Sequence, residues 1–242
     1  MTTELVVLQH HPEAGPSAFV DVLDGRRDTL PWRLVDVPAG DALPAVDQLA
    51  GLLVMGGAMG VPDEDQHPWM EDEMALLRRT VEAEVPVFGV CLGAQLLGAA
   101  LGGKVERRVT PEIGYLPLER TEEGRSDEVI AGWPDGAATL MLHEDQVTSL
   151  PDGAQALLCG SDGWAAWRVG TAHAVQFHPE VTAEQLATWV ALEQLAGLLD
   201  AAGVDPEELT AEARRRARFT VPQGRALVGR WLDGPVRKHA AG

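Results

Sequence analysis

The sequence predicts an α/β protein in which a mostly parallel central sheet carries helices on both faces. Short apolar runs, suited to strands that are buried on both sides, recur through the first half of the chain. Helix-compatible segments separate these runs, and this alternation favours a parallel sheet. The second half instead carries closely spaced short runs separated by turn residues, which predict small antiparallel strands or a mixed sheet.

The first half contains four candidate strands, each a compact apolar run. They are residues 5–8, 32–37, 51–55 and 85–88. Helices are expected at residues 17–23, 41–50, 65–84 and 92–101. Segment 65–84 has the clearest helical pattern, because its apolar residues Met70, Met74, Leu77 and Val81 share one face and acidic residues occupy the opposite face.

After Gly103 the sequence pattern changes from alternating strands and helices to closely spaced short strands. Short strands are expected at residues 104–109, 113–118, 139–142, 154–158, 165–169 and 172–177. A helix capped by Thr182 is expected over residues 183–202, and Gly203 and Pro206 end it. We therefore divide the chain into a domain of residues 1–202 and a polar, partly helical C-terminal extension of residues 203–242 that packs on or beside it.

Composition places the chain among ordinary globular proteins but gives it a strongly acidic charge. Its 242 residues are 45% hydrophobic and 23% charged, values that argue against disorder and provide ample material for a core. The formal net charge of −18 argues against nucleic acid or an anionic membrane as the main partner, since both would be repelled. An acidic surface of this kind favours solubility.

The cellular location is expected to be the cytoplasm. The N-terminus lacks a basic region followed by a long apolar stretch, so it does not resemble a signal peptide. No apolar run approaches the length that crosses a bilayer. The two cysteines, Cys91 and Cys159, provide no disulfide framework, and a reducing compartment would keep both as thiols.

The stretch around Cys91 predicts a nucleophile. It reads Gly89-Val90-Cys91-Leu92-Gly93 and joins a buried strand to an Ala- and Leu-rich helix. A strand that turns sharply into a helix strains the residue at the bend, and flanking glycines relieve the crowding. Unpaired N–H groups and the dipole at the helix N-terminus favour a thiolate there. The alternative is a small buried cysteine that only fills space.

His178 is the best candidate for the base that such a thiol needs. It lies in the segment Phe177-His178-Pro179-Glu180, where the proline pushes the histidine into an extended geometry. Residues i and i+2 of an extended segment point to the same side, so Glu180 can hold one imidazole nitrogen while the other meets Cys91. An ordinary strand end would show the same short pattern.

Two backbone segments are candidates for binding an oxyanion. The N–H of Leu92 is one donor, because it directly follows the nucleophile at the elbow. A second donor is expected from residues 56–59, GGAM, whose glycines allow the backbone to approach a bound carbonyl closely. A plain glycine-rich turn is the alternative for this second segment.

Taken together, these segments resemble the class I, or triad, glutamine amidotransferases, and especially the amidotransferase domain of GMP synthase and its stand-alone relatives. Five matching segments occur in the family's order: LLVMGGAMG, the Cys91 elbow through Gln95, EIGYLPL, MLHEDQV and AVQFHPEVT. They cover most of residues 5–189. The resemblance implies the flavodoxin-like fold of the class I amidotransferases.

The resemblance also implies a role for each site residue. Cys91 attacks the side-chain amide of glutamine, His178 takes the thiol proton and then protonates the departing ammonia, and Glu180 orients the imidazole. The N–H groups of Gly57 and Leu92 hold the oxyanion. A γ-glutamyl thioester forms on the cysteine, and water activated by the histidine releases glutamate. The resemblance implies neither a metal nor a cofactor.

The substrate pocket is implied by the same resemblance. Gln95, His143 and Asp145 match positions that line the glutamine pocket of the family. The sequence departs from the GMP synthase pattern at Glu144, where that enzyme usually has glycine. The glutamate adds bulk and charge beside the pocket, so free glutamine and other γ-glutamyl compounds both stay open as substrates.

Three functions follow from these observations. The chain shows neither a P-loop nor a second catalytic domain, which favours a stand-alone enzyme that hydrolyses glutamine, with or without an ammonia-accepting synthase subunit as partner. The second function is a γ-glutamyl peptidase with the same triad and a different leaving group. The third is a binding or regulatory subunit with an idle site.

Overall fold

A mixed β-sheet organises the structure, a computed structural model that describes residues 3–241. Within these residues nine strands lie side by side in the order β2-β1-β3-β4-β9-β8-β7-β5-β6. The strands are β1 (Glu4–Gln9), β2 (Trp32–Asp36), β3 (Leu49–Val54), β4 (Val87–Val90), β5 (Lys104–Arg120), β6 (Ala137–Ser149), β7 (Gln155–Gly160), β8 (Gly163–Val169) and β9 (Ala172–Val175).

Helices cover both faces of the sheet, as expected for an α/β protein. They are α1 (Val20–Asp24), α2 (Trp69–Glu82), α3 (Leu92–Ala100), α4 (Glu122–Ser126), α5 (Ala183–Trp189), α6 (Glu193–Ala202), α7 (Pro206–Trp231) and α8 (Arg237–Ala240). Neighbouring residues of β1 enter different cores: Val7 packs in one cluster with Leu227 of α7, and Val6 packs in another with Leu76 of α2. This follows from the alternation of side chains along a strand.

Half of the sheet is antiparallel, so the prediction of a mostly parallel sheet is not confirmed. Parallel pairing joins β2 to β1, β1 to β3, β3 to β4 and β4 to β9. Antiparallel pairing joins β9 to β8, β8 to β7, β7 to β5 and β5 to β6. The connections between consecutive strands explain the change from parallel to antiparallel pairing. A tight turn between Gly160 and Gly163 joins β7 to β8, and such a turn can only reverse the chain, whereas a parallel pair needs a crossover such as α2.

Three expected elements differ from those observed. Residues 41–50 contain no α-helix in the described structure, and a single 3₁₀ turn, Val46–Gln48, interrupts an irregular segment. The expected strands 104–109 and 113–118 are one long strand, β5, with a register shift between Arg107 and Glu112. The expected helix 183–202 is divided into α5 and α6, because Leu192 takes an extended conformation with φ −77° and ψ 135°.

The C-terminal segment packs into the core of the sheet. Its main element, α7, is a continuous 26-residue helix, where the sequence predicts only helical patches in a polar tail. Trp231 at the end of this helix is fully buried, with its ring 5.6 Å from that of Phe88 in β4. The domain boundary at residue 202 stays a prediction.

Among the helices of residues 3–241, none combines the length and the apolar character that spanning a membrane requires.

Candidate active site

Cys91 lies at a strained elbow between β4 and α3. Its backbone has φ 50° and ψ −106°, a region that side-chain-bearing residues rarely adopt. The flanking glycines allow this bend because a Cβ on Gly89 would lie 2.7 Å from the backbone of Gly93, and a Cβ on Gly93 would lie 2.3 Å from the carbonyl oxygen of Val54. The elbow therefore depends on two positions where no side chain fits.

The thiol of Cys91 is almost covered, with 5% of the residue exposed. Its sulfur lies 3.9 Å from the backbone oxygen of Leu142, and Nε2 of Gln176 donates to it over 3.7 Å. The Cys91 N–H donates to the carbonyl of Val175 at the end of β9 over 2.8 Å. Cys91 is thus held between the ends of two neighbouring parallel strands, the usual place for a site in an α/β sheet.

His178 and Glu180 form a buried pair beside this elbow. Nδ1 of His178 lies 2.8 Å from Oε1 of Glu180, and the two residues are 6% and 1% exposed. Burial alone lowers the pKa of His178, but the charges of Glu180 and Cys91 outweigh it and hold the pKa well above its ordinary value of 6.5. The imidazole is therefore stabilised in its protonated form.

The imidazole and the thiol face one another across Gly56. A methyl group placed on this glycine would lie 3.2 Å from Cε1 of His178 and 3.6 Å from Cβ of Cys91. Nε2 of His178 is buried and has no hydrogen-bond partner among residues 3–241. The structure therefore brings the predicted nucleophile and base together, and the ring nitrogen that is not bound to Glu180 is the one left available.

The two predicted oxyanion donors also lie together. A methyl group on Gly57 would lie 2.7 Å from Cδ2 of Leu92, so the glycine-rich loop packs directly on the start of α3. Leu92 is the first residue of that helix, where backbone N–H groups have no partner within the helix. Gly57 lines the same cavity as Cys91. Two backbone segments able to donate N–H groups thus border the thiol.

Gln95 and His143 both bind the backbone of Asp145. Nε2 of Gln95 and Nδ1 of His143 lie 2.8 Å and 2.9 Å from its carbonyl oxygen. The other ring nitrogen of His143 lies 2.9 Å from a carboxylate oxygen of Glu112. All three predicted pocket residues line the cavity, but the polar atoms of His143 are already engaged within the protein. These residues therefore shape the cavity wall along β6.

Arg107 lies among three acidic side chains beside the cavity and offsets part of their charge. Its Nε lies 3.0 Å from Oδ1 of Asp145, whose side chain is 4% exposed. The same guanidinium lies 2.8 Å from Asp63 and 3.7 Å from Glu144. Glu144 lines the cavity and is partly exposed, so the charge that departs from the GMP synthase pattern stands at the entrance and is only partly offset by the arginine.

One wall of the cavity, which encloses about 130 Å³, is apolar. Trp189 of α5 and the leucines 192, 195 and 198 of the α5–α6 segment line it. The edge of the Trp189 ring meets the ring of His178, with the centroids 5.1 Å apart. The break between α5 and α6, which the sequence pattern did not indicate, therefore builds this wall.

Gln176 is a site residue that the sequence analysis missed. Its amide lies within 3.7 Å of the Cys91 sulfur and 3.5 Å of Nε2 of Gln95. The signal was present, because Gln176 precedes His178 by two residues, and the rule that places Glu180 beside His178 also places Gln176 on that side. Within the described residues no group of three or more His, Cys, Asp or Glu side chains is arranged to hold a metal ion.

His10, the residue that follows β1, lies in the interior. It is 2% exposed, and its Nε2 lies 3.0 Å from a carboxylate oxygen of Glu73. Glu73 is fully buried as well, because it lies three residues after Met70 and four before Leu77 and so shares their face of α2. The end of β1 packs against that helix face. His11 lies on the rim of the cavity.

Comparison with known proteins identifies one family. The family model of glutamine amidotransferase class-I matches residues 34–192. YfeJ, a glutamine amidotransferase-like protein of Salmonella typhimurium, is 31% identical over 247 residues, which span 99% of each chain. The GMP synthase of Thermomicrobium roseum is 31% identical over 199 residues, 79% of this chain and 34% of that enzyme.

A solved structure agrees with these sequence matches. The glutamine amidotransferase of Methylobacillus flagellatus superposes with a TM-score of 0.84 at 27% identity, covering 97% of this chain and 96% of that one. The chain spans only 24% to 34% of the length of the GMP synthases considered. Because the family model covers the segment that carries Cys91, His178 and Glu180, and the YfeJ match extends over the full length, this chain belongs to the class-I glutamine amidotransferase family.

Proposed function

We propose that this protein hydrolyses the side-chain amide of L-glutamine to glutamate and ammonia through a thioester on Cys91. One observation carries the proposal: a thiol at a strained elbow faces an imidazole whose far nitrogen lies 2.8 Å from a buried carboxylate. A nucleophile, a base and a group that orients the base form the arrangement that acyl-transfer enzymes share. Membership of the amidotransferase family supports this reaction class.

The first half of the reaction uses the available nitrogen of His178. Cys91 adds to the amide carbon as the thiolate, its proton having passed to Nε2 of His178, whose raised pKa favours the protonated ring. That nitrogen is unpaired among residues 3–241, and catalytic hydrogen bonds are often long until substrate binds. Collapse of the tetrahedral intermediate breaks the C–N bond, and the imidazolium gives its proton to the leaving ammonia. A γ-glutamyl thioester remains on the sulfur.

The second half of the reaction returns the enzyme to its starting state. Water attacks the thioester carbon, the neutral imidazole takes a proton from that water, and the C–S bond breaks to release glutamate and the thiol. Glu180 holds the Nδ1–H of His178 in both halves and stabilises the imidazolium. The N–H groups of Gly57 and Leu92 bind the negative oxygen that forms in each half.

Release of glutamate from L-glutamine by the purified protein tests this function. Hydroxylamine added during turnover should intercept the thioester and yield γ-glutamyl hydroxamate, which forms only if an acyl-enzyme exists. Mass spectrometry of protein quenched early should show the γ-glutamyl adduct on the peptide that contains Cys91 and none on the peptide that contains Cys159. Absence of glutamate, hydroxamate and adduct would overturn the proposal.

A second candidate is the cleavage of γ-glutamyl amides whose leaving amine is larger than ammonia. The apolar wall formed by Trp189, Leu192, Leu195 and Leu198 favours it, because ammonia needs no apolar contact. Comparison of kcat/KM for glutamine and for γ-glutamyl-leucine decides between the two. Because Glu144 lines the cavity and would repel the leucine carboxylate, Glu144→Gly should shift the ratio toward γ-glutamyl-leucine.

An ammonia-accepting synthase subunit is the partner we propose for the glutaminase. The match to GMP synthases, each about three to four times longer than the matched region, supports this partner. Addition of such a synthase subunit should raise glutaminase kcat. A regulatory subunit with an idle site, the remaining alternative, predicts partner binding without any turnover.

A further inference from the structure

A second buried His–Glu pair lies behind the glycine-rich loop, outside the cavity. Nε2 of His10 lies 3.1 Å and 3.0 Å from the two carboxylate oxygens of Glu73. The two residues are 2% and 0% exposed, and neither lines the cavity that holds Cys91. Burying an ion pair is costly, so stability is a weak reason for it to exist, and a second role deserves consideration.

The other ring nitrogen of His10 binds the loop. Nδ1 lies 3.1 Å from the carbonyl oxygen of Met55 and 3.3 Å from that of Gly56. Carbonyl oxygens only accept hydrogen bonds, so Nδ1 must carry a proton and donate it. Burial alone lowers the pKa of His10, but attraction to the Glu73 carboxylate outweighs burial and raises the pKa above 6.5. The donor on Nδ1 is thereby maintained.

This bond determines the direction of the next N–H. In a trans peptide the C=O and N–H groups lie in one plane and point to opposite sides. The peptide between Gly56 and Gly57 is trans, so a Gly56 carbonyl directed at His10 turns the Gly57 N–H away from it. Gly57 lines the cavity and His10 does not, so an N–H turned away from His10 favours the cavity side of the loop.

The loop needs an anchor of this kind because of its composition. Peptides flanked by glycines rotate easily, since no Cβ restricts them. A methyl group on Gly57 would lie 3.0 Å from Cβ of His10, whereas one on Gly56 would lie 3.6 Å from Cβ of Cys91, so the loop is layered between the histidine and the nucleophile. The ring of Trp69 stacks on that of His10 at 5.3 Å and 19°, which fixes the plane of the imidazole.

We propose that His10, held by Glu73 and Trp69, is a positioning residue that aims the Gly57 N–H at the oxyanion. The inference rests on the proposed thioester chemistry and adds a residue pair that never touches substrate. Its consequence is that the histidine acts on the rate of the chemical step and leaves substrate binding and the reactivity of the thiol itself unchanged.

The test compares two double variants. Glu73→Gln is the common background, because it removes the carboxylate that would otherwise be buried without a partner. In that background His10→Asn keeps an amide N–H where Nδ1 stood, and His10→Leu has similar size and no donor. Loss of a complete oxyanion donor lowers kcat by about 10²- to 10³-fold, so a misaligned donor should place the leucine variant roughly 10- to 100-fold below the asparagine variant at similar KM.

Two alkylating agents separate alignment of the donor from general damage. A chloroketone analogue of glutamine reacts by addition of the Cys91 thiolate to its ketone, which creates an oxyanion, before the sulfur displaces chloride. Iodoacetamide loses iodide in one direct displacement and creates no oxyanion. The leucine variant should react more slowly than the asparagine variant with the chloroketone and at the same rate with iodoacetamide.

The outcomes distinguish the positioning role from the proposed function. Equal kcat and equal chloroketone rates in the two variants of an active protein overturn the positioning role alone. A wild-type protein that turns over no γ-glutamyl amide and does not react with the chloroketone at Cys91 overturns the proposed function and this inference with it. If the leucine variant fails to fold, His10→Gln, which carries its amide at the Nε2 position, replaces it with the same expectation.

Discussion

His178 and Glu180 form their hydrogen bond within a single extended segment, with Nδ1 of the ring 2.8 Å from Oε1 of the carboxylate. The pair needs no other part of the chain, because residues i and i+2 of an extended segment share a side. The contact with Cys91 is different in kind, since it depends on β4 and β9 lying next to each other in the sheet. Local geometry therefore forms the His178–Glu180 pair, and the fold places this pair next to Cys91.

Replacement of Glu180 by glutamine should lower the pKa of His178. Burial already lowers this pKa, and the negative charge of Glu180 raises it more than that of Cys91 does. Without Glu180, only the interaction with Cys91 opposes the effect of burial. NMR titration of the labelled ring should give a midpoint above 6.5 in the wild type and a lower one in Glu180→Gln.

The same pair makes stability depend on pH, with a definite sign. The folded pKa of His178 lies above 6.5, so the protonated ring contributes stability that is fully present below pH 6.5 and is lost as pH rises through the folded pKa. The difference in unfolding temperature between the wild type and Glu180→Gln should therefore become smaller over that alkaline range. A difference that grows with rising pH would contradict the assignment of the charge.

Replacement of Cys91 by serine should abolish turnover and leave the fold intact. Members of a catalytic unit fail together, and we expect a loss of at least about 10⁴-fold in kcat. Cys159→Ser is the matched control, because Cys159 is the other free thiol and lies in β7, away from the cavity. Glutamate release and circular dichroism measure both, and full inactivation by the control would contradict the choice of nucleophile.

Replacement of Gly56 by alanine should separate the imidazole from the thiol. The new methyl group would lie 3.2 Å from Cε1 of His178 and 3.6 Å from Cβ of Cys91. The ring must shift by only a few tenths of an ångström. Because a shift of about 1 Å can cost about 10²-fold in rate, kcat should fall by less than that factor, with little change in unfolding temperature. Gly197→Ala is the control: its Cβ meets nothing within 4 Å, and alanine should stabilise α6 by up to about 1 kcal/mol with activity retained.

Replacement of Trp231 by alanine should test how far the C-terminal segment is part of the fold. Its side chain is fully buried against Phe88, and such a truncation costs about 3–5 kcal/mol in the free energy of unfolding. Phe219→Ala on the same helix is the matched control, because Phe219 is 57% exposed and its loss should stay within about 0.5 kcal/mol. Denaturant unfolding measures both; similar values would favour an extension that merely lies beside the domain.

Several parts of the candidate site were predictable because each rests on a few neighbouring residues. Gly89 and Gly93 around Cys91 indicate an elbow, since only glycine fits where a Cβ would meet backbone atoms at 2.7 Å or less. Pro179 between His178 and Glu180 indicates the extended spacing of the pair. The apolar runs for β1, β3 and β4 likewise indicate strands that are buried on both faces.

Other features of the fold and of the candidate site depend on contacts between distant segments, and no local sequence pattern indicates them. The spacing of Glu73 from Met70 and Leu77 puts it on the apolar face of α2, but only the fold packs this face against His10 at the end of β1. The continuous α7 likewise gains its stability from packing its apolar face on the core, whereas the antiparallel β7–β8 pair follows from turn residues that the sequence itself shows.

The residues of the chain therefore indicate the elbow at Cys91, the His178–Glu180 pair, the antiparallel strands of the second half and the family, because each of these rests on short segments of sequence. Only the folded molecule decides the order of the strands in the sheet, where α5 ends and which buried charge lies behind the glycine-rich loop. Those features depend on the packing of segments far apart in the sequence, and the periodicity of any one segment carries no information about its distant neighbour.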